Sequence, residues 1–193
     1  MPEFGSIMKV DRYIIKTILK TSVEYVFIIS LGIFLIFLDE SEFAGLEIKY
    51  LILTMAGFKS WYFLTKGFRR ISEFSGLDLK YYEFLVFIAF NISVIVLSFG
   101  FDYFCIYKTD ISSFSGVPQD LGYPSLFFKF VYFSLMIFTN IGIIKIVPES
   151  TEAEILVIFE AILSFITIIF ILSDFLSLKE SLSSSNIKSA DPS

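Results

Sequence analysis

The sequence predicts an all-α integral membrane protein with four transmembrane helices and a re-entrant helix and loop between the last two. Three observations carry that expectation. Hydrophobic residues make up 55% of the 193-residue chain and its mean hydropathy is +0.77, more apolar surface than a soluble domain of this length buries. The apolar residues gather into long runs separated by charged or Gly- and Pro-containing segments, and a helix needs roughly 20 apolar residues to cross the hydrocarbon. One further run, of about 15 residues, is too short to cross and suits a segment that enters the bilayer and turns back.

Residues 1–7, with Pro2-Glu3-Phe4-Gly5-Ser6, read as a cloning scar, and Met8 as the natural start. The first span is expected over residues 13–38, with Lys9, Arg12, Lys16 and Lys20 at its start and Asp39, Glu40 and Glu42 after it. The second run, residues 50–68, contains Gly57 and Lys59. It either spans as a short or tilted helix or lies in the interface, and Lys59 is expected to snorkel to the cytoplasmic interface. A basic loop follows through Arg69 and Arg70, and Asp78 offers a cap for the next helix. Residues 8–80 thus form an N-terminal hairpin of two membrane helices and a cytoplasmic loop.

The third span, residues 81–107, is long and aromatic, and Asn91 is the polar residue singled out in it. Residues 108–123 form a polar, turn-rich loop. Pro124 suits the first turn of the short helix over residues 124–138. The last span, residues 155–175, is preceded by Thr151 and Glu154 at the spacing of a capping box. The Ser-rich tail, residues 177–193, is expected to be disordered beyond a helical stub. Basic residues mark the cytoplasmic side, so both termini face the cytoplasm, the loop at 108–123 faces outward, and the location is the cell (inner) membrane.

Composition also excludes functions. The net charge is −5, and no basic stripe for nucleic acid is present. There is no His, and Cys105 is the only Cys, which excludes an intrachain disulfide and the usual zinc and haem ligand sets. The commonest general base and the Ser-His and Cys-His pairs are missing as well. An enzyme is not expected, nor a cofactor.

The string between the last two spans carries the functional signal. Tyr132-Phe133-Ser134 lies in the short helix, followed by Thr139-Asn140-Ile141-Gly142-Ile143-Ile144-Lys145 and then Pro148. This string resembles the pore signature of tetrameric potassium channels, in which an aromatic-Phe-Ser helix leads into Thr-Thr-Val-Gly-Tyr-Gly-Asp and a Pro follows three residues later. Thr139, Gly142 and Pro148 match without gaps; Asn140, Ile141, Ile143, Ile144 and Lys145 stand in place of Thr, Val, Tyr, Gly and Asp. Ala153 and Glu160-Ala161 sit where two-helix prokaryotic pores often carry Ala and Glu-Ala, and Ser164 falls where many carry a hinge Gly. The likeness covers about residues 125–174, and no ladder of Arg marks a voltage sensor.

The resemblance implies a pore module over residues 81–176, a homotetramer in the lipid bilayer, and potassium or sodium ions as permeant species. Thr139, Asn140, Ile141 and Gly142 would hold a monovalent cation, with Ile143 and Ile144 completing the filter. Lys145 and Glu149 would stand at the outer mouth, and Glu160 and Ser164 behind the filter. The physics agrees: a cation must exchange its water for fixed oxygens, and four loops around one axis supply them. Irregular backbone at membrane depth is tolerated only where it lines such a cavity.

The departures predict weak selectivity. Ile144 replaces a glycine that adopts left-handed angles, at about 1–2 kcal/mol per chain for a β-branched residue. Four Lys145 ammonium groups at about 8 Å repel an entering cation by roughly 2 kcal/mol in total before screening. The Asn140 amide oxygen either coordinates an ion or hydrogen-bonds the loop backbone. Glu160, a lone charge in an apolar span, either braces the pore loop through Lys129 or a backbone group, or is protonated or water-facing without a specific role. A non-conducting channel relative and a small transporter built on Lys59, Asn91 and Glu160 are the alternatives.

Overall fold

The computed structural model describes residues 45–67, 69, 81–118, 120–142 and 145–189, and within them the chain is mostly helical. The cloning scar, the expected span at residues 13–38, most of the basic loop and the Asp78 cap lie outside the described residues. Helix α1, Gly45–Tyr62, starts upstream of its apolar run and ends in a π-helical turn, Phe63–Gly67. Its buried residues Ile48, Ile52, Ala56 and Phe63 follow helical spacing and form one stripe. Lys59 and Ser60 fall on that same buried stripe.

Helix α2 spans Tyr81–Thr109. Its Ile88–Thr109 portion has mean hydropathy 1.7 and is long and apolar enough to cross a membrane. A 3-10 turn, Ile111–Ser113, follows, capped by Asp110, whose side chain accepts from Ser112 N. Strand β1 is Phe114–Ser115, helix α3 is Tyr123–Phe138, strand β2 is Val147–Pro148, and helix α4 is Thr151–Ser189. Within α4, Thr151–Ser173 is the second segment of membrane-crossing length, at hydropathy 2.9.

Strands β1 and β2 pair antiparallel, Phe114 opposite Pro148 and Ser115 opposite Val147. Glu149 N and Ser150 N donate to Ser113 O at 2.9 and 3.4 Å. The chain therefore leaves the end of α2, makes an excursion through α3, and returns to the place it left. Gly116 makes the closure possible. Its φ is +73°, and a Cβ there would meet Lys145 O at 2.1 Å, a contact no side chain can make.

Inside that excursion α3 lies antiparallel to α2. Phe127 packs edge-on against Phe101 and Phe104, with centroids 6.2 and 5.9 Å away. Farther along, a Cβ on Gly100 would stand 2.8 Å from Val131 Cα, so the two backbones touch. The core between them is aromatic: Tyr103 meets Phe133 at 4.9 Å and Phe114 at 5.9 Å, both edge-to-face. Such pairs add about 0.5–1.5 kcal/mol each beyond the area they bury. Helix α1 runs antiparallel to α2, since Lys49 pairs with Asp110 and Lys59 with Asp102.

Two expectations change at α4. Its cap is Ser150, whose Oγ accepts from Ala153 N at 3.3 Å; the helix opens one residue earlier than a box starting at Thr151 requires. The helix also continues to Ser189, so the polar tail is no mere stub. Helical spacing persists there because Ser, Lys and Glu carry no breaker, and no Pro interrupts before Pro192.

Candidate functional site

Helix α3 has a tip and a seat. Its 16 residues rise about 24 Å, short of the roughly 30 Å of hydrocarbon. Gly122 stands at its N-cap and Pro124 within its first turn, where a missing N–H is harmless. At the far end Thr139 N donates to Leu135 O, Asn140 N to Ile137 O and Ile141 N to Met136 O, at 3.0, 3.0 and 3.3 Å. The last two bonds, with Asn140 left-handed at φ 54°, make a Schellman termination. After Gly, Asn is the residue that tolerates that position best.

Asn140 thus has a role outside both readings of its amide: its backbone stops the helix. Thr139 turns its hydroxyl back to donate to Leu135 O at 2.7 Å. Gly142 is left-handed, at φ +73°. Thr139, Asn140, Ile141 and Gly142 are all exposed. Ile143 and Ile144 lie outside the described residues. Lys145 is exposed, and Glu149 accepts from Ser115 Oγ at 2.5 Å, tying the return strand to the loop before α3. A cleft of about 280 Å³ opens along the side of α3, between it and the return segment, lined by Lys129, Tyr132, Met136 and Lys145.

The seat lies one turn back along α3. Ser134 Oγ sits 2.9 Å from Val96 O of α2 and in hydrogen-bond contact with Glu160 Oε1 of α4. Tyr103 OH of α2 donates to Glu160 Oε2 at 2.6 Å. Glu160, Ser134 and Tyr103 are fully buried. The partners of Glu160 are therefore a serine and a tyrosine; Lys129 faces out into the cleft. Ser164, one turn farther along α4, is buried and donates to Ala161 O at 2.9 Å.

Lys59 is not turned out to solvent. It is buried, ion-paired with Asp102 and 3.3 Å from Ser98 O, with its ammonium over the Phe99 ring. An ammonium in an apolar interior needs a counter-charge more than it needs a route to water. Asp102 precedes Tyr103, so the ion pair adjoins the seat, and Asp102 and Lys59 lie within electrostatic reach of Glu160. Lys59, Asn91 and Glu160 are all buried, but Lys59 and Glu160 take separate partners rather than meeting each other.

The residues that the sequence reading passed over are Asp102 and Tyr103. A signal was present: Asp102 and Lys59 are charges of opposite sign in two apolar runs, and each demands a partner. Just past the end of α2, Lys49 and Ser112 hold the Asp110 carboxyl down to about 2 by hydrogen bonding. Comparison of the chain with protein-family models, curated proteins and solved structures found no match.

Proposed function

We propose that this chain is one subunit of a fourfold-symmetric cation channel of the potassium-channel type, with weak discrimination between potassium and sodium. The observation that carries the reading is the closed excursion: a helix too short to cross, ending in two left-handed residues at Asn140 and Gly142, returned to its starting level by the pairing of β1 with β2. Irregular backbone at membrane depth must either be buried in protein or line a water-filled path, and in this chain residues 139–142 are exposed. Exposure of all four residues from Thr139 to Gly142 supports a shared axis, since one loop cannot surround an ion.

In this reading α2, α3 and α4 are the outer, pore and inner helices, and α1 with the segment before it adds two more spans. The protein sits in the cell membrane with both termini inside, and its partners are three further copies and lipid. Backbone oxygens from Thr139 to Gly142 replace ion hydration at the inner filter. The Schellman bonds occupy the carbonyls of Met136 and Ile137, so the dipole of α3 acts on the ion only through its last residues. Exposed Ile158, Ile162, Phe165 and Ile169 on α4 form an apolar face for neighbouring copies or lipid.

Exposed Lys145 favours a second reading, a relative that keeps the fold and conducts poorly. One experiment separates the two. Purified protein in liposomes should pass both potassium and sodium, and cross-linking should stop at four subunits. Strong preference for potassium refutes weak selectivity, absence of flux from a cross-linked tetramer selects the second reading, and a monomer removes both.

A further inference from the structure

We propose that Glu160 is a neutral carboxylic acid that donates its proton to Ser134, and that this uncharged bond seats helix α3. The argument is a count of protons. Ser134 Oγ carries one hydrogen and has two oxygen neighbours, Val96 O and Glu160 Oε1. The Val96 carbonyl can only accept. A carboxylate can also only accept, which would leave one of the two contacts without a proton in a site where every unmade bond is expensive.

A protonated Glu160 completes the set. Its O–H donates to Ser134 Oγ, Ser134 O–H donates to Val96 O, and Tyr103 O–H donates to Glu160 Oε2. Three donors then meet three acceptors in one chain across α4, α3 and α2.

Charge balance, an independent observation, agrees. Among the described residues, the charged and titratable groups facing this region are Lys59 from α1, Asp102, Tyr103 and Cys105 from α2, and Glu160 from α4, while α3 presents Ser134. The single ammonium is taken by Asp102 and Ser98 O. A charged Glu160 would be a second carboxylate with no cation of its own, fully buried, which an apolar interior does not support. Neutral Glu160 leaves the buried group at net zero: one ammonium, one carboxylate, one acid. In the channel reading, Glu160 and Ser134 are positioning residues for the pore helix. The proton itself does not depend on that reading.

Infrared difference spectroscopy on full-length protein in lipid vesicles at neutral pH tests this without measuring flux. Subtracting Glu160→Gln from the wild type should reveal the carbonyl stretch of a protonated carboxylic acid, moving down on transfer to D2O. A difference showing only carboxylate stretches overturns the proposal. Where Glu160→Gln does not fold, Ser134→Ala serves instead: the acid band should persist and shift up as its hydrogen bond is lost, and an unshifted band overturns the assignment of the partner. A role confined to packing moves no such band. A conducting protein without the band sinks this inference alone, and a silent protein with it sinks the channel alone.

Discussion

The seat and the tip of α3 are about one turn apart and are built in opposite ways. At the seat every polar atom meets a partner from another helix of the same chain: Ser134 with Val96 and Glu160, Glu160 with Tyr103, and Lys59 with Asp102 close by. At the tip, Thr139 and Asn140 bond only to their own helix, and Gly142 has nothing within 4 Å of where a Cβ would stand. The difference teaches that contacts within one chain position the helix while its end is left exposed. Substitution at the seat should damage folding and, in the channel reading, substitution at the tip should damage transport.

The largest effect is expected from Asp102→Ala. It strands the Lys59 ammonium in an apolar interior, at about 3–5 kcal/mol. Thermal unfolding in detergent should show the loss, and replacing Lys59 and Asp102 together by Met and Leu should recover most of it. Recovery failing to appear would mean the pair also sets helix orientation.

Gly100→Ala sharpens the seat from its packing side. A methyl 2.8 Å from the Val131 backbone forces α2 and α3 apart, costing about 1–3 kcal/mol. The same unfolding assay measures it, and flux should fall with stability because the tip moves with its helix.

The tip is broken differently. In the channel reading, Lys145→Glu should leave unfolding unchanged while removing a repulsion worth roughly 2 kcal/mol across four copies before screening, so cation flux at low salt should rise and the gain should shrink as salt is added. Gly142→Ala places a Cβ at φ +73° in open space and costs about 1–2 kcal/mol per chain. Because nothing packs against that Cβ, the loop can relax out of the left-handed conformation rather than carry the strain, so in the channel reading flux should drop with less change in unfolding than Gly100→Ala shows. If both tip variants unfold early instead, the contrast between the two ends fails.

The smallest effect belongs to the ion pair of Lys49 with Asp110, both partly exposed, where such pairs contribute about 0–1 kcal/mol. The Asp110 carboxyl is held below its ordinary 3.8, at about 2. Its contribution is therefore complete above pH 3.8 and is lost as pH falls toward 2. The stability of Asp110→Asn should lie slightly below the wild type at neutral pH and meet it at the acid end.

Much of this architecture was legible in the residues. The short run starting at Pro124 became a helix over Tyr123–Phe138 almost as read, because its length, its opening Pro and its flanking glycines act locally. The turn-rich loop followed from the same kind of rule. Lys59 was misread, since snorkelling treats a side chain as alone with solvent, whereas its partner lies forty-three residues away on another helix. The cap was displaced by one residue because Ser150, Thr151 and Glu154 offer two overlapping patterns, and only the return bond from Ser150 N to Ser113 O selects between them.

By itself the sequence determined where the chain is apolar, how long each apolar run is and where it turns, since these depend on a residue and its near neighbours. Only the tertiary structure decided which buried charges meet and which oxygens surround the Ser134 hydroxyl. A buried polar group takes its energy from whatever lies about 3 Å away, and for Lys59, Ser134 and Glu160 that includes a group from a different helix.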